Sequence, residues 1–403
     1  MRSNKDLISA VKKGELAAVI SKFTVNGRPT FDTRLLPHVL FWAVKNGHLH
    51  MTDTMLQLGA DVNGNTIGQS YMEEMRQWTP HVCFQVEEPL LFTAVRSRCV
   101  HMVKLLLDNG ANPNEQTNWQ LNVVCEQIMV PDKTALHLAI IQRSVEIVKI
   151  LLEHKANIDL QDSSGLNAFH VIMCRDFSLE RLSYSQICLR FGEYLPGSDS
   201  QSCEIMQMLC NIPNSAGTLN ARSRDGDTPL HLAARYSKSA LCLLLIKKGV
   251  LLNTHCNSGF SPLLMNIVFS QKQTDIALNL IVHGADADEG DLYNHSLIAM
   301  AIANMQPNST QIVHLLVFAG CRLTKSYQRP YNIGHEKLYK WLGTMQHNPH
   351  RLVDLSRICI RRGLAKDVTQ GRTIVPTIMQ LPLPESIKGF LLLQDITGAD
   401  GGQ

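Results

Sequence analysis

Two stretches of the 403-residue chain are nearly identical: Thr134-Ala-Leu-His-Leu-Ala139 and Thr228-Pro-Leu-His-Leu-Ala233. Each has a weaker copy 33 residues further on, at Asn167-Ala-Phe-His170 and at Ser261-Pro-Leu-Leu264. A regular period of this length is typical of a chain that stacks one small helical motif many times. The pattern therefore predicts repeats, rather than the two or three ordinary domains (at ~150 residues each) that length alone suggests.

A second marker recurs in the same phase, between the copies of the first. Within one unit, Ile147, Val148, Leu151 and Leu152 recur at helical spacing and predict a single apolar helix face. The glycine that begins most markers fits the left-handed residue that ends a helix. The pairs Asp225-Gly226 and Ser258-Gly259 predict tight turns before the next unit. The markers are Gly59-Ala-Asp-Val-Asn63, Gly110-Ala-Asn-Pro-Asn114, Lys155-Ala-Asn-Ile-Asp159, Gly249-Val-Leu-Leu-Asn253 and Gly284-Ala-Asp-Ala-Asp288.

The two markers together resemble the ankyrin repeat, whose signature is Thr-Pro-Leu-His-x-Ala at a period near 33 residues. The resemblance implies an all-α fold over residues 1–324, an ankyrin-repeat solenoid of seven to eight helix-turn-helix repeats with hairpin turns. A degenerate first unit, Leu7 to Val19, has the polar outer face expected of a cap. Insertions near 64–81, 115–130 and 176–200 are expected to loop out on the surface. Partner binding and tolerated variation in loop length both remain open as their role.

The composition excludes several classes of protein. Hydrophobic residues make up 45% of the chain, which excludes a disordered chain, and charged residues make up 18%. A net charge of +3 argues against a dedicated nucleic-acid binder. None of the eleven cysteines forms a CxxC pair, so a zinc site has little support. The amino terminus lacks an apolar signal core and no apolar run is long enough for a membrane span, so we expect an intracellular, mainly cytoplasmic protein, with the nucleus as the alternative.

The other polar candidates are interpreted as structural. His137, His170 and His231 occupy one fixed position of the repeat, where a side chain hydrogen-bonds to neighbouring backbone. The pairs Lys247-Lys248 and Arg361-Arg362 are interpreted as solvated helix ends, because cations suit a helix carboxyl terminus. No phosphate-binding loop, dinucleotide fingerprint, nucleophile elbow or kinase signature is present. We therefore expect no catalytic residue, no metal and no cofactor.

The period ends after about residue 324, and the remaining tail has a different pattern. A helix is predicted within a linker at 325–346. The next segment predicts a helix with one face formed by Leu352, Leu355, Ser356, Cys359 and Ile360, at i, i+3, i+4, i+7 and i+8. Further on comes Ile378-Met-Gln-Leu-Pro-Leu-Pro384. Each proline favours an extended shape for the leucine before it, which would pre-order the two leucines for docking.

Repeats and tail together resemble the ankyrin repeat and SOCS box family, with the SOCS box at residues 347–395. In that family an elongin-binding helix carries a leucine, a cysteine four residues later and an aliphatic residue four further on. Leu352 and Ile360 match the outer positions, Ser356 replaces the cysteine, and Arg351 stands where a small residue or proline is usual. The resemblance implies elongin binding by Leu352, Leu355, Ser356, Cys359 and Ile360, and cullin binding by Ile378, Leu381, Pro382, Leu383 and Pro384.

The resemblance implies a non-catalytic function. The chain would be the substrate-recognition subunit of an elongin B/C–cullin–RING E3 ubiquitin ligase. Its repeats would bind a target protein, which the sequence does not identify, and its SOCS box would recruit elongin B/C and a cullin-5 type scaffold with a RING protein. The alternative is a non-degradative ankyrin scaffold or adaptor, which the departures at Ser356 and Arg351 favour. No nucleic-acid or membrane partner is expected.

Overall fold

The fold is mostly helical, as the sequence predicts. The chain divides into two compact units, Met1–Ile172 with Asp176–Leu209 and Met173–Arg175 with Cys210–Gln403. The structure, a computed structural model, describes residues 10–25, 28–29, 36–63, 82–87, 89–123, 126–174, 199–213, 215–269, 274–288, 297–303, 309–321, 336–347, 352–366 and 373–393.

Six of the helices in the first half of the chain form three contacting pairs. Residues 10–13 are helical and precede the first full helix. The helices are α1 (Leu16–Phe23), α2 (Leu36–Lys45), α3 (Leu49–Gln57), α4 (Leu90–Arg96), α5 (Val100–Asp108), α6 (Ala135–Ile141), α7 (Val145–Glu153), α8 (Ala168–Met173) and α9 (Asp199–Cys210). Within the pairs α2–α3, α4–α5 and α6–α7 the helices contact each other, and α2, α4 and α6 contact along the stack.

The predicted apolar face of α7 is confirmed. Ile147, Val148 and Leu151 have no exposed surface, and Leu152 is half-buried, whereas Glu146 and Lys149 on the other side of the helix are exposed. Helix α6 is buried from Ala135 to Ile140. A short helix covered on all sides by neighbours gains its stability from packing rather than from intrinsic propensity. Stacking of the units therefore provides the core.

A three-stranded antiparallel sheet departs from the all-helical expectation. Strands β1 (Thr24–Val25) and β2 (Arg28–Pro29) form a small hairpin. The larger sheet has the order β3-β4-β5. Its strands are β3 (Val82–Glu87), β4 (Gln116–Val123) and β5 (Glu126–Thr134).

The larger sheet corrects the prediction for the insertion near 115–130, which forms β4 and most of β5 instead of a surface loop. Alternate apolar residues at Trp119, Leu121 and Val123 are the strand signal. A two-residue connection between Val123 and Glu126 suits a hairpin. The insertion near 64–81 lies outside the described residues, as does that near 176–200 except for the first residues of α9.

The last strand of this sheet is fixed to the following turn by a buried ion pair. The Lys133 Nζ lies 2.8 Å from the Asp162 Oδ2, and both side chains are almost fully buried. Asp162 Oδ1 also accepts hydrogen bonds from the backbone N–H groups of Ser164 and Leu166. A buried charge pair is tolerated only when its remaining hydrogen-bonding capacity is used in this way. The pair thus holds the strand in register with the repeat that follows it.

The recurrent histidines close the first turn of their helices, as predicted. The Nδ1 of His137 accepts a hydrogen bond from the backbone N–H of Thr134 at 3.1 Å, and His231 does the same with Thr228 at 3.1 Å. His170 pairs with Asn167 at 3.3 Å. Burial lowers the pKa of both His137 and His231 to about 4, so these rings are neutral near pH 7. The ring must be neutral because Nδ1 accepts a hydrogen bond, and a protonated imidazole has no free acceptor nitrogen.

Asparagines at the last position of the second marker link successive repeats. The side-chain oxygen of Asn63 accepts a hydrogen bond from the backbone N–H of Asn112 at 2.8 Å. The side-chain oxygen of Asn114 accepts one from the backbone N–H of Asn157 at 2.7 Å. In the second unit of the fold, Asn253 accepts the N–H of Asp286 at 2.9 Å. The sequence pattern located these asparagines but gave them no role. Each acts as an amide link between one repeat and the next.

The second half of the chain continues with helix pairs and ends in four further helices. Its helices are α10 (Ser215–Thr218), α11 (Pro229–Arg235), α12 (Ser239–Lys247), α13 (Pro262–Phe269), α14 (Thr274–His283), α15 (Leu297–Ala303), α16 (Ser309–Ala319), α17 (Glu336–His347), α18 (Leu352–Lys366), α19 (Ile374–Gln380) and α20 (Glu385–Leu391). The glycines predicted to end helices have positive φ, among them Gly249 at 79° and Gly284 at 109°. The turn glycines Gly226 and Gly259 have φ of 77° and 74°, as predicted.

Candidate functional site

The three carboxyl-terminal helices, α18 to α20, pack around one small apolar core. We call residues 352–366 and 373–393 the carboxyl-terminal box. Its fully enclosed side chains are Ile374, Ile378, Leu391 and Leu392. The partly buried side chains packed against them are Val282, Leu364, Val375, Leu381, Leu383 and Phe390. One of these, Val282, belongs to the repeat helix α14, so the core of the box is completed by a repeat.

Helix α18 begins at Leu352, as the sequence predicts, and its two faces differ sharply. Ser356 and Cys359 are exposed, and 42% of Ile360 is exposed. The side chains of Leu352 and Leu355 lie outside the described residues, although their backbone is helical. The predicted face is therefore open to solvent at each of its three described positions.

The opposite face of α18 is directed inward and carries Arg357, Ile358 and Arg361. Only 1% of Arg357 and 5% of Arg361 is exposed. This corrects the interpretation of Arg361 as a solvated helix end; the side chain of Arg362 lies outside the described residues. The exposed pair Lys247 and Lys248 agrees with that interpretation.

Arg361 connects the box to the repeats through backbone carbonyls. Its Nη1 donates to the carbonyl of Leu391 at 2.6 Å, and its Nη2 donates to the carbonyl of Ile281. Ile281 lies in the last turn of α14 and Leu391 in the last turn of α20. The last carbonyls of a helix lack intrahelical partners and attract positive charge. Burial, reinforced by the positive charge of Arg357, lowers the pKa of Arg361 to about 10, which leaves it charged near neutral pH.

Arg357 packs against an aromatic ring of the same box. Its guanidinium carbon lies 3.6 Å from the ring centroid of Phe390. A guanidinium above a ring face is attracted by the negative face of the ring, and it is also weakly hydrated. Stacking on Phe390 therefore compensates part of the cost of burying this second arginine. Both arginines stabilise the fold, although the sequence pattern places Arg361 in solvent and does not single out Arg357.

A glycine at the end of α14 allows the box to approach closely. A Cβ built on Gly284 would lie 3.0 Å from the Cγ2 of Ile374. Gly284 also has φ of 109°, which an L side chain rarely adopts. Because Gly284 has no side chain, it can adopt the positive φ that ends α14, and Ile374 can pack closely against it.

The leucine-proline segment between α19 and α20 has the extended shape predicted for it at Leu381. This residue ends α19 with φ of −63° and ψ of 141°. Pro384 is the N-cap residue of α20, and its carbonyl accepts hydrogen bonds from the N–H groups of Ile387 and Lys388, both at 3.0 Å. The rings of Pro382 and Pro384 are exposed, whereas Leu381 and Leu383 are half-buried against the core.

Ile378 is placed differently from the other residues grouped with it in the sequence analysis. Its side chain is fully buried among Ile374, Leu391 and Leu392. In this conformation Ile378 supports the segment from inside, and its surface is not available to a partner. The surface that the segment does present comes from the two prolines and from Met379, of which 46% is exposed.

The surface of the box is mainly apolar where it is exposed on α18 and in the leucine-proline segment. Within the described residues, no group of three or more His, Cys, Asp or Glu side chains could hold a metal ion. No helix in the described part of the chain is long and apolar enough to cross a membrane. What the box presents is an exposed helix face with an aliphatic residue and an exposed proline pair on a rigid core. Such surfaces recognise partners through burial of apolar area.

Comparison with protein families gives two matches. The family described as Ankyrin repeats (3 copies) matches residues 7–162 and 198–291, more than half of the chain. The family described as SOCS box matches residues 348–392, which cover the carboxyl-terminal box almost completely. The helix pairs described above and the first match agree on the fold.

Individual proteins are similar over parts of the chain. An ankyrin repeat protein of fowlpox virus (strain NVSL) is 27% identical over 180 residues, which are 43% of this chain and 89% of the viral protein. The ankyrin repeat domain of Bcl-3, a member of the IkappaB protein family, gives a TM-score of 0.45 at 19% identity and covers 69% of this chain and 97% of its own. An ankyrin repeat domain from Acinetobacter baumannii AYE gives 0.44 at 18% identity, with 58% and 98% covered.

Proposed function

Because the chain belongs to the ankyrin repeat family and carries a SOCS box near its carboxyl terminus, we propose that it is a substrate-recognition subunit of an elongin B/C–cullin–RING E3 ubiquitin ligase. The repeats hold a target protein, and the box recruits elongin B/C and a cullin-5 type scaffold with its RING protein. Both modules are non-catalytic adaptors. The chain contributes proximity, since it holds the lysines of a target close to an activated ubiquitin. Assembly with these partners takes place inside the cell.

The exposed face of α18 is the observation that carries this proposal. Ser356, Cys359 and Ile360 are exposed on a helix whose other face is held rigidly by Arg357 and Arg361. A helix that keeps an aliphatic residue in solvent while it buries two arginines is arranged for a partner. Helix-in-groove recognition uses anchors at this spacing, and Leu352 stands one and two turns before Ser356 and Ile360. We assign elongin C to this face.

The size of the contribution from Leu352 follows from its burial in the complex. Complete burial of a leucine side chain contributes roughly 1.5–3 kcal/mol. Since about 1.4 kcal/mol corresponds to a tenfold change in affinity, removal of this anchor weakens elongin binding about ten- to a hundredfold. Ser356 is smaller and more polar than the cysteine of the family pattern. It therefore contributes less apolar contact at the centre of the face.

The leucine-proline segment is assigned to the cullin. Pro382 and Pro384 are exposed, and Leu381 and Leu383 are anchored on the core of the box. A segment fixed by two prolines loses little conformational entropy when it docks. Ile378 holds this segment in place from below. In this proposal α18 binds elongin C, and the leucine-proline segment before α20 binds the cullin.

The first test is co-purification with elongin C from cells. Leu352→Asp and Ile360→Asp place a charge in the proposed interface, and each is expected to remove elongin C. The matched control is Ile387→Asp, because Ile387 lies on α20 of the same box and is 43% exposed, almost the same as Ile360. Elongin C retained by both α18 variants, or lost equally in the control, contradicts the assignment.

The second test separates the cullin from elongin. The double variant Pro382→Ala with Pro384→Ala leaves α18 unchanged, so it is expected to lose the cullin and to keep elongin C. Pull-down of the chain followed by immunoblotting for both partners measures this. Loss of both partners, or of neither, is incompatible with this assignment of the two partners.

The alternative is an ankyrin scaffold that binds its partners without ubiquitination. The polar Ser356 at the centre of the exposed face favours it, as does Arg351 before the helix. A partner that binds stoichiometrically to the chain in the absence of any elongin C would decide for the scaffold. Appearance of ubiquitin on that partner only when the leucine-proline segment is intact would decide for the ligase subunit.

A further inference from the structure

Two aromatic rings and one arginine form a surface cluster on two contacting repeat helices, α11 and α13, in the second half of the chain. Arg235 is the last residue of α11, Phe269 is the last residue of α13, and Phe260 lies two residues before α13. We call these three residues the arginine-aromatic patch. The guanidinium carbon of Arg235 lies 4.8 Å from the ring centroid of Phe269. The Phe260 ring meets the Phe269 ring edge to face, with the centroids 6.1 Å apart.

The patch is open to solvent. Four large apolar side chains are exposed in the described residues, and Phe269, at 42%, is the one that lies outside the carboxyl-terminal box. The side chain of Arg235 is 35% exposed, and Phe260 is half-buried. Aromatic residues and arginine are the residue types that protein interfaces favour over the rest of the surface. The composition and the exposure of the patch therefore both fit a contact with another protein.

The guanidinium of Arg235 is oriented but keeps its hydrogen-bond donors. Its Nη1 lies 3.6 Å from the Oδ2 of Asp227, which is longer than a hydrogen bond. In the part of the chain that the structure describes, the Arg235 side chain forms this loose ion pair and the ring contact with Phe269, and no hydrogen bond. A guanidinium presents five N–H donors in a planar fork, which matches the two oxygens of a carboxylate. Arg235 can therefore accept a second carboxylate from outside.

Buried hydrogen bonds fix the backbone that carries the patch. The Nδ2 of Asn266 in α13 donates to the carbonyl of Ala234, next to Arg235, at 3.1 Å. The Nε2 of His231 in α11 lies 3.0 Å from the carbonyl of Phe260. Burial lowers the pKa of His231 to about 4, so the ring is neutral, and Nε2 is its donor because Nδ1 accepts a hydrogen bond. A patch held in this way loses little conformational entropy when a partner docks.

The charges near the patch favour one kind of anion. Residues 222–235 contain three arginines and two aspartates, and the buried His231 is neutral, so this segment has an excess of one positive charge. A carboxylate side chain carries one negative charge, whereas a phosphate group carries about −1.5 to −2 near pH 7. One carboxylate therefore matches the excess, and a phosphate exceeds it.

We propose that the arginine-aromatic patch binds an extended segment of a target protein that carries an apolar side chain and, two residues away, a carboxylate. Side chains at i and i+2 of an extended chain lie on the same face, about 6.6 Å apart. The apolar side chain packs on Phe260 and the exposed part of Phe269, and the carboxylate accepts hydrogen bonds from Arg235. This deepens the proposed function, on which it rests, by naming the chemistry of the target segment.

The experiment selects a phage-displayed library of random peptides on the full chain, without elongin. We expect enrichment of peptides with an apolar residue and with Asp or Glu two positions away. One selected peptide is then labelled, and fluorescence anisotropy measures its affinity. The corresponding amide in place of its acidic residue, or Arg235→Gln in the chain, should each weaken binding about tenfold, because a charge-assisted pair of hydrogen bonds is lost. Absence of the enriched spacing, or equal binding of the amide peptide, overturns the proposal.

The matched control for Arg235→Gln is Arg224→Gln. Arg224 is exposed in the same repeat, and its substitution changes the local charge by the same amount. Binding should stay within about twofold, because an exposed charge that does not touch the peptide is screened. An equal loss in both variants would reduce the effect to local charge and overturn the assignment of Arg235.

Two further measurements test the apolar contact and the kind of anion. Phe269→Ser leaves the ion pair of Arg235 with Asp227 in place and should weaken binding several-fold. Unchanged binding would place the peptide elsewhere and overturn the proposal. Tighter binding of the same peptide with phosphoserine at its acidic position would assign the patch to phosphorylated segments instead. Because elongin is absent from these measurements, a failure here leaves the elongin test above unaffected.

Discussion

The two faces of helix α18 reverse the distribution usual for a helix on a protein surface. The inner face carries two nearly inaccessible arginines, Arg357 and Arg361, whereas the outer face carries Ser356, Cys359 and Ile360. Arginine is rarely buried unless its donors are used. Here backbone carbonyls accept hydrogen bonds from Arg361, and the Phe390 ring packs against the guanidinium group of Arg357. The inner face is therefore attached to a repeat through Arg361, whereas we propose that the outer face binds a partner.

The largest effect is expected on the inner face, for Arg361→Gln. The carbonyls of Ile281 and Leu391 would lose a charged donor in a buried place, and the shorter side chain would leave space. We expect the free energy of unfolding to fall by roughly 2–4 kcal/mol. Urea denaturation followed by circular dichroism measures it. The control Lys340→Gln removes an exposed cation from α17 and should change stability by less than about 0.5 kcal/mol. Equal stability of the two variants would show that the Arg361 contacts are dispensable.

A smaller loss is expected where the inner side of the box meets α14. Gly284→Ala adds a methyl group 3.0 Å from Ile374, in addition to the cost of a side chain at positive φ. The matched control is Gly59→Ala, because Gly59 has φ of 91° and open space around its missing side chain. The control should cost about 1 kcal/mol and Gly284→Ala about 1 kcal/mol more. Hydrogen exchange of residues 374–380 should rise only in the Gly284 variant. Identical exchange in both would mean that the contact with the box carries no stability.

The outer face should respond in the opposite manner. Ile360→Ser removes an aliphatic side chain that is 42% exposed, so the stability of the free chain should change by less than about 0.5 kcal/mol. Elongin C binding should weaken several-fold, because the apolar contact is lost only in the complex. Calorimetric titration with purified elongin B/C measures the affinity, and thermal unfolding measures the stability. A large loss of stability with unchanged affinity would reverse the roles of the two faces.

The sequence predicted the local features of the fold, and missed those that depend on distant residues. Capping by His137 and the buried face of α7 follow from spacings of a few residues, and both are confirmed. Arg361, in contrast, is held by carbonyls 80 and 30 residues away in the sequence. A basic pair near a helix end is ordinarily solvated, so nothing local distinguished Arg361 from Lys247.

The three-stranded sheet was missed for a related reason. A segment that departs from the repeat period is expected to be a loop, because the repeat itself contains only helices and turns. The alternation in β4 at Trp119, Leu121 and Val123 was present in the sequence, but strand β3 lies about thirty residues earlier, on the other side of an ankyrin helix pair. Pairing between such separated strands is decided by tertiary contacts rather than by local propensity. The exposed face of α18 could be predicted because helical periodicity is a local signal, and its role in binding stays a prediction.

The smallest expected effect is on the pKa of His283, a residue of the repeat helix α14 that senses the charge of Arg361 on the inner face of α18. Burial is the main cause that lowers the pKa of His283, and the positive charges of Lys247 and Arg361 lower it further. Arg361→Gln removes one of these charges, so protonation of the imidazole becomes less unfavourable and its pKa should rise. It should stay below the ordinary value, because burial and Lys247 remain. Arg361→Lys keeps the charge and is the matched control. Proton NMR titration, with the His283 signal assigned through His283→Gln, distinguishes the two variants. An unchanged pKa in Arg361→Gln, or an equal rise in Arg361→Lys, would mean that the charge of Arg361 is not felt at the end of α14.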